Sequence, residues 1–285
     1  MEFGIHSRLK TYRPLGYERS SRSAGKKDSS KTLVLFYNKI KGENLTMNLV
    51  LEKNEFRNIF GTFKDIFDTD LVTPQNIVFN GMINLDYAAF RLPRGGGKDF
   101  LLSTYALLRA ASVAKSNILI EAPVYRQVRI LFESINHLSF KSTYFEDLYS
   151  VNTADSRNDC YLKFKNGSTI RAVPNIPIYD GDIVLVTEAS SMPKQRLSEL
   201  IKGIKNNTLR KVLFMSTGYY DYNSMNEIET YECFSSLAFG YKAFTTGFYD
   251  QANIDHAKET LSTDVFDMEY NSKICKSKKK GDENG

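Results

Sequence analysis

Phe90-Arg91-Leu92-Pro93-Arg94-Gly95-Gly96-Gly97-Lys98-Asp99 is the stretch on which the fold turns. Upstream of it, Tyr87 to Leu92 is an apolar run that reads as a strand. Downstream, Lys98 to Ala114 has helical periodicity, with Leu101, Leu102, Tyr105, Leu108 and Ala111 on one side. A strand that passes through three glycines into a helix opening with lysine is the setting of a phosphate-binding loop. Glycines let backbone N–H groups wrap phosphate oxygens, and the helix N-terminus adds positive potential. Lys98 would then reach the β- and γ-phosphates of a nucleotide. The match to G-x-x-x-x-G-K-[ST] is incomplete: Leu92 stands at the first glycine and Asp99 at the final hydroxyl. A tight glycine turn beside a surface lysine would leave the same letters, so the rest of the chain has to decide.

Two later strand ends bear on it. Asp182-Ile183-Val184-Leu185-Val186-Thr187-Glu188-Ala189 places four apolar β residues ahead of a carboxylate. That is the pattern of the strand carrying the metal-side acid and the catalytic glutamate of phosphate-loop ATPases. Thr187 stands where the Asp is usual, and Glu188 keeps the place of the residue that polarises water. Val212-Leu213-Phe214-Met215-Ser216-Thr217-Gly218 is a third buried strand, ending in two hydroxyls that a neighbouring strand could set beside a γ-phosphate. Each strand end alone is ordinary. The three together, in this order, are hard to produce by chance.

The surrounding pattern is that of an α/β chain. Thr32 to Tyr37 reads as a strand. Residues 46–72 are expected to be helical in part, with Phe56, Phe60, Phe63 and Phe67 at helical spacing that suits a core. Asn117 to Ala122 is a strand and Tyr125 to Leu138 an amphipathic helix. Cys160 to Val173 is a hairpin whose Asn166-Gly167 suits a tight primed turn. Pro193 to Ile204 is a helix, Gly240 to Thr246 is expected as a strand, and Gln251 to about Leu261 as a helix. Short buried strands alternating with helices indicate a mostly parallel central sheet flanked by helices. No internal repeat divides the body.

Composition narrows the field further. The chain has 285 residues, 42% hydrophobic and 25% charged, enough for a sizeable core. Its net charge of +5 is unevenly placed. Residues 1–32 hold eight Lys/Arg against three acids, a net +5, and residues 273–285 hold five lysines against two acids, a net +3. The body is therefore −3, and the excess positive charge sits on two arms able to neutralise phosphates or simply to keep the ends solvated. Three scattered cysteines and three histidines without a CxxC argue against a disulfide framework and a zinc site. No apolar run of about 20 residues suggests a membrane span, and charges near the N-terminus argue against export. The expected organisation is a basic arm at 1–32, an ATPase domain at 33–272 and a lysine-rich tail at 273–285.

As a set, these residues resemble the ATPase domain of the large terminase subunit, the DNA-packaging motor of tailed phages. The resemblance spans roughly Tyr87 to Asn271. Arg94-Gly95-Gly96-Gly97-Lys98 is similar to the family's variant loop, with an Arg four residues before the Lys. Ala122-Pro123-Val124-Tyr125-Arg126-Gln127 resembles its next strand-to-helix segment, and Phe164-Lys165-Asn166-Gly167-Ser168-Thr169-Ile170 its hairpin. Glu188 lies where the catalytic glutamate is expected, Ser216-Thr217 where the coupling motif is expected, and Asp250 to Tyr270 looks like the closing helical segment.

The resemblance implies an additional-strand, RecA-like P-loop NTPase fold using ATP and Mg²⁺. Lys98 and Gly95, Gly96 and Gly97 would bind phosphate, Glu188 would activate water, and Arg94 would act as an arginine finger, with Arg91 a weaker substitute. Ser216 and Thr217 would sense the γ-phosphate and couple hydrolysis to movement. Apart from the resemblance, Gln75, upstream of the loop, is a candidate adenine contact. Asp99, Thr187 and Glu188 would form the metal side. The implied partners are double-stranded DNA, a portal protein, a small terminase subunit and further copies in a ring, by resemblance a pentamer, in the cytoplasm of an infected host cell.

Three departures stand against the pattern. Asp99 and Thr187 look like one exchange, hydroxyl and carboxylate having traded places, so that they should still hydrogen-bond and Asp99 should offer Mg²⁺ its hard oxygen. The competing reading is a degenerate scaffold that binds DNA or partners without turnover; another nucleic-acid-dependent ATPase is a further alternative. The third departure is length. No acidic cluster for two-metal cleavage follows Asn271, so no nuclease activity is expected, the nuclease being on another chain or lost from a truncated product.

Overall fold

The structure, a computed structural model, describes residues 63–142, 145, 149–152, 160–172, 183–231 and 233–276. The chain divides into two units, residues 1–53 and 54–285, and every described residue belongs to the second. The basic arm, the strand expected at Thr32 to Tyr37, Phe56, Phe60 and the end of the lysine-rich tail lie outside the described residues. None of the described helices is long and apolar enough to cross a membrane.

An eight-stranded sheet forms the centre. Its strands in chain order are β1 (Tyr87–Arg91), β2 (Asn117–Glu121), β3 (Tyr149–Asn152), β4 (Cys160–Phe164), β5 (Thr169–Ala172), β6 (Ile183–Val186), β7 (Lys211–Ser216) and β9 (Ser235–Ala238). Their spatial order is β3-β4-β5-β2-β6-β7-β1-β9. All pairings from β5 to β9 are parallel, and only β3–β4 and β4–β5 are antiparallel. β7 lies between β1 and β6, with Arg91 level with Ser216 and Val186 level with Phe214. This inserted strand makes the sheet of the additional-strand type and brings three loops to one edge. A second, two-stranded ribbon pairs β8 (Tyr219–Tyr220) with β10 (Ile274–Cys275) in parallel.

The central strands carry no polar face because both faces are covered. Ala88 and Phe90 of β1, Ile118 and Ile120 of β2, Ile183 and Leu185 of β6, and Leu213 and Met215 of β7 face one core. Their neighbours Ala89, Leu119, Val184, Val186, Val212 and Phe214 face the other. On the first side lie the helices α1 (Thr73–Asn84), α2 (Lys98–Ser112) and α3 (Tyr125–Lys141), contributing Phe79, Leu101, Leu102 and Phe132. On the second lie α4 (Lys194–Lys205) and α5 (Ser224–Glu229), contributing Leu197, Leu200, Met225 and Ile228. The chain closes with α6 (Gln251–Thr260) and α7 (Thr263–Asn271). Asn223, Asp250 and Ser262 cap α5, α6 and α7, each side chain accepting a bond from a first-turn N–H.

Some local structure departs from expectation. Gly240 to Thr246 is not a strand: Tyr241–Ala243 is one turn of 3₁₀ helix, and the strand beside β1 is Ser235–Ala238. The alternation of Tyr241 and Phe244 serves packing instead, Tyr241 meeting Tyr249 and Phe266, and Phe244 meeting Phe248 and Tyr249. The β4–β5 hairpin is present, but its turn is not of the primed type. Only Gly167 has positive φ, and the paired bonds Gly167 N–H to Phe164 O and Phe164 N–H to Ser168 O describe a type I turn with a glycine bulge. Asn166 is held elsewhere, donating to the Ala110 and Ala111 carbonyls at the end of α2. The body also runs past the expected boundary at residue 272, since Ile274–Cys275 pairs with β8.

Candidate functional site

Three loops meet at the C-terminal edge of β1, β7 and β6, the edge where open α/β sheets bind ligands. The loop after β1 is fastened first. Leu92, read as the displaced glycine of the motif, is fully buried and its N–H donates to the Ser216 carbonyl. Gly95 and Gly97 both take left-handed backbone, with φ of 76° and 88°. A Cβ on Gly96 would lie 2.9 Å from the Pro93 carbonyl, and one on Gly97 would lie 2.6 Å from Gln75 Nε2. Gly95 is therefore demanded by conformation, Gly96 by space and Gly97 by both. The ladder of α2 begins only with Leu101 N–H donating to Gly97 O, which leaves the N–H groups of the first turn free of intrahelical acceptors. An anion at this end would meet those N–H groups and the positive end of the helix dipole.

Lys98 is buried at 8% exposure and folds back along the loop, its Nζ 3.5 Å from the Pro93 carbonyl. Burial pulls its ammonium below the ordinary range, while the carboxylates of Glu188, Asp99 and Glu269 work to hold it up. Arg94 is exposed at the mouth of the loop. Arg91, considered as its substitute, is committed elsewhere: it donates to Glu229 at 2.6 Å and to the Tyr219 hydroxyl at 3.3 Å. Gln75 braces the loop from below. Its Nε2 donates to the Gly96 carbonyl at 3.1 Å and its Oε1 accepts from Val72 N–H, so both ends of the amide are taken by backbone.

Asp99 and Thr187 meet as the exchange requires. Thr187 Oγ1 donates to Asp99 Oδ1 at 2.8 Å, across the end of β7 and over 88 residues of sequence. Thr187 is 2% exposed, whereas Asp99 is exposed, so the hydroxyl stands behind the carboxylate. Such a donor set fits Mg²⁺, which takes one or two carboxylates together with phosphate oxygens and water. Thr187 N–H donates to the Glu121 carbonyl, and Glu121 itself is a 3% exposed carboxylate paired with Arg196 of α4.

Glu188 follows in an unusual backbone state, with φ 49° and ψ 42°. Left-handed backbone costs a non-glycine residue roughly 1–2 kcal/mol and tends to occur where function demands it. Here it turns the carboxylate out of the strand line and starts the 3₁₀ turn Ala189–Ser191. Burial raises its carboxyl above the ordinary range; Lys98 opposes the rise, and Asp99 and Glu269 add to it. Ser216 and Thr217 divide the remaining work. Ser216 Oγ accepts from Ser190 N–H at 3.3 Å, tying β7 to the Glu188 turn, and Thr217 Oγ1 lies 3.5 Å from Glu269 Oε1 on α7.

The structure thus gathers Arg94 to Asp99, Thr187, Glu188, Ser216 and Thr217 at the ends of β1, β6 and β7, sets Gln75 behind the loop, and turns Arg91 to Glu229. Glu269 was missed. Its carboxylate acts on the charge of both Lys98 and Glu188, and its backbone carbonyl accepts from Arg94 N–H at 2.6 Å. The signal in the sequence was slight, because a single glutamate in a helix 171 positions after Lys98 has no spacing to declare it.

No protein-family profile matches the sequence, and no curated protein matches it either. Solved structures do match. The ATPase domain of the Thermus phage P74-26 large terminase, in a point-mutant form, superposes with a TM-score of 0.58 at 18% identity, over 75% of this chain and 98% of that one. The large terminase of bacteriophage HK97 gives 0.56 at 12% identity, over 71% of this chain and 50% of that one. A large terminase from a thermophilic bacteriophage, solved in complex with ATP-γ-S, gives 0.55 at 11% identity, over 71% and 52%. This chain spans about half the length of the latter two and nearly all of the first, and its fold is that of the phage large-terminase ATPase domain.

Proposed function

We propose that this chain is the ATP-hydrolysing motor subunit of a phage terminase, driving double-stranded DNA into a procapsid. The observation that carries the reading is the 2.8 Å bond between Thr187 and Asp99, which joins the phosphate loop to the Glu188 strand end despite both motif positions being altered. Two random losses would have no reason to compensate one another.

In this reading the first-turn N–H groups of α2 and Lys98 hold the triphosphate, and Gln75 keeps the loop in shape through its bond to the Gly96 carbonyl. Asp99, with Thr187 and Glu188 behind it, would hold Mg²⁺, which would supply neutralisation of phosphate charge. Glu188 takes a proton from the attacking water, and the exposed Arg94 neutralises charge growing on the γ-phosphoryl group. Ser216 and Thr217 carry changes at the γ-position to the Glu188 turn and to α7. Portal protein, a small terminase subunit, a separate nuclease and further copies in a ring are the corresponding partners, in the cytoplasm of an infected cell. DNA binding through the basic arms would weaken steeply with salt.

The test is ATP turnover by the purified chain with and without Mg²⁺, double-stranded DNA and portal. Metal-dependent turnover stimulated by DNA is the expected result. Salt-sensitive DNA binding with no turnover in any combination would instead select a degenerate scaffold that binds DNA without hydrolysing ATP, a reading favoured by Leu92, Asp99 and Thr187.

A further inference from the structure

α7 is fastened directly onto the cleft. The Glu269 carbonyl accepts from Arg94 N–H at 2.6 Å, the Met268 carbonyl from Gly218 N–H at 2.8 Å, and the Lys273 carbonyl from Tyr219 N–H at 3.2 Å. The fit at Gly218 leaves no room for a side chain, since a Cβ there would lie 2.1 Å from the Lys273 carbonyl oxygen. One short segment therefore holds both the phosphate loop and the end of β7. From it the Glu269 carboxylate reaches toward Thr217 at 3.5 Å and acts on the charges of Lys98 and Glu188.

We propose that Glu269 is the residue by which the protein tells a nucleoside triphosphate from a diphosphate and passes the difference to α7. The proposal rests on the reading of the cleft as an ATP site. Three carboxylates, Asp99, Glu188 and Glu269, share it with two cations, Lys98 and Arg94. A γ-phosphate adds negative charge among them. A metal held by Asp99, with Glu188 behind it, would relieve those two carboxylates. Glu269, on the Thr217 side, would have no such counter-ion.

Like charges brought together in a half-buried site repel with little screening by solvent. The relaxation open to Glu269 is to withdraw, and the carbonyl bonds of Met268 and Glu269 make Gly218, Arg94 and α7 move with it. A diphosphate adds no charge at the γ-position, so Glu269 and its segment stay in place. Glu269 is a positioning and specificity-determining residue in this scheme, and takes no part in bond breaking.

The experiment measures Mg²⁺-supported binding of ADP and of a non-hydrolysable ATP analogue to the full chain, for wild type, Glu269→Gln and Glu269→Asp. Glu269→Gln should raise affinity for the ATP analogue relative to ADP by about tenfold, within the usual span of site-to-site coupling. Glu269→Asp keeps the charge and should keep the wild-type ratio to within about threefold, by the same principle. Hydrogen exchange of residues 263–276 supplies a readout independent of affinity. Protection there should fall with the analogue and not with ADP in wild type, and respond equally to both in Glu269→Gln. An unchanged affinity ratio in a folded Glu269→Gln protein, or equal exchange responses in wild type, would overturn the proposal while leaving the ATP site standing. Wild type that binds neither nucleotide would overturn the ATP-site reading and this proposal with it.

Discussion

Glu188→Gln should lower ATP turnover by about 10²–10⁴-fold, the usual contribution of a positioned general base, while nucleotide binding is retained. The amide keeps the size of the side chain and its turn, but cannot accept the proton of the attacking water. Both the location and the backbone of Glu188 single it out. The residue is partly buried beside Lys98, and it is held in left-handed backbone that Ser191 N–H to Glu188 O and Ser190 N–H to Ser216 Oγ lock in place. A pH profile gives a second check. Burial raises the Glu188 carboxyl, so the working carboxylate is lost as pH falls through a pKa above the ordinary glutamate range. Turnover should therefore decline on acidification earlier than an exposed glutamate would require, and the residual rate of Glu188→Gln should lack that limb. Equal turnover in the two proteins would remove Glu188 from the chemistry.

Arg196→Met should destabilise the fold by about 3–5 kcal/mol, the cost of leaving a buried charge without its partner. Glu121 ends β2 at 3% exposure, and Arg196 reaches it from α4 with both Nε and Nη2 while also bonding Glu199. The same strand end receives Thr187 N–H on its carbonyl, so the ion pair adjoins Thr187. Denaturant unfolding measures the loss. The double change Glu121→Gln with Arg196→Met should recover a large part of it, because the amide removes the orphaned charge. A loss below about 1 kcal/mol, the range of exposed pairs, would mean that the pair is solvated in the working protein.

The parts of this architecture that the sequence declares are those in which local chemistry and tertiary role coincide. Ile183–Val186 and Lys211–Ser216 are buried on both faces, so unbroken apolar runs point to a central parallel sheet without any knowledge of their neighbours. The glycines before Lys98 are legible because backbone angle, space or both require each of them. The pairing of Asp99 with Thr187 was also within reach, since two departures from one pattern fell at positions that a single inserted strand separates. Ser235–Ala238 could not be read this way. It is a short edge strand of half-exposed residues held by the backbone of β1, and it carries no periodicity of its own. The Asn166-Gly167 pair misdirected the turn assignment because Asn166 is occupied with capping α2, a role set by residues 55 and 56 positions away. Arg91 and Glu269 illustrate the same limit from opposite sides. Proximity in sequence offered the first to the cleft, but Glu229 and Tyr219 hold it, and distance in sequence hid the second.

The exchanged pair is the centre of the account, and a mutational cycle at Asp99 and Thr187 tests it most directly. Mg²⁺-dependent ATP turnover would be measured for wild type, Asp99→Ser, Thr187→Asp and the double variant carrying both. Each single change should reduce turnover by about tenfold or more, one by removing the hard oxygen and the other by setting two carboxylates against each other. The double variant, with hydroxyl and carboxylate returned to the usual order, should recover to within about tenfold of wild type, a coupling expected of residues in contact. Higher turnover in Asp99→Ser alone than in wild type would contradict the account, because Asp99 would then be an obstacle in the site and not its metal-side oxygen.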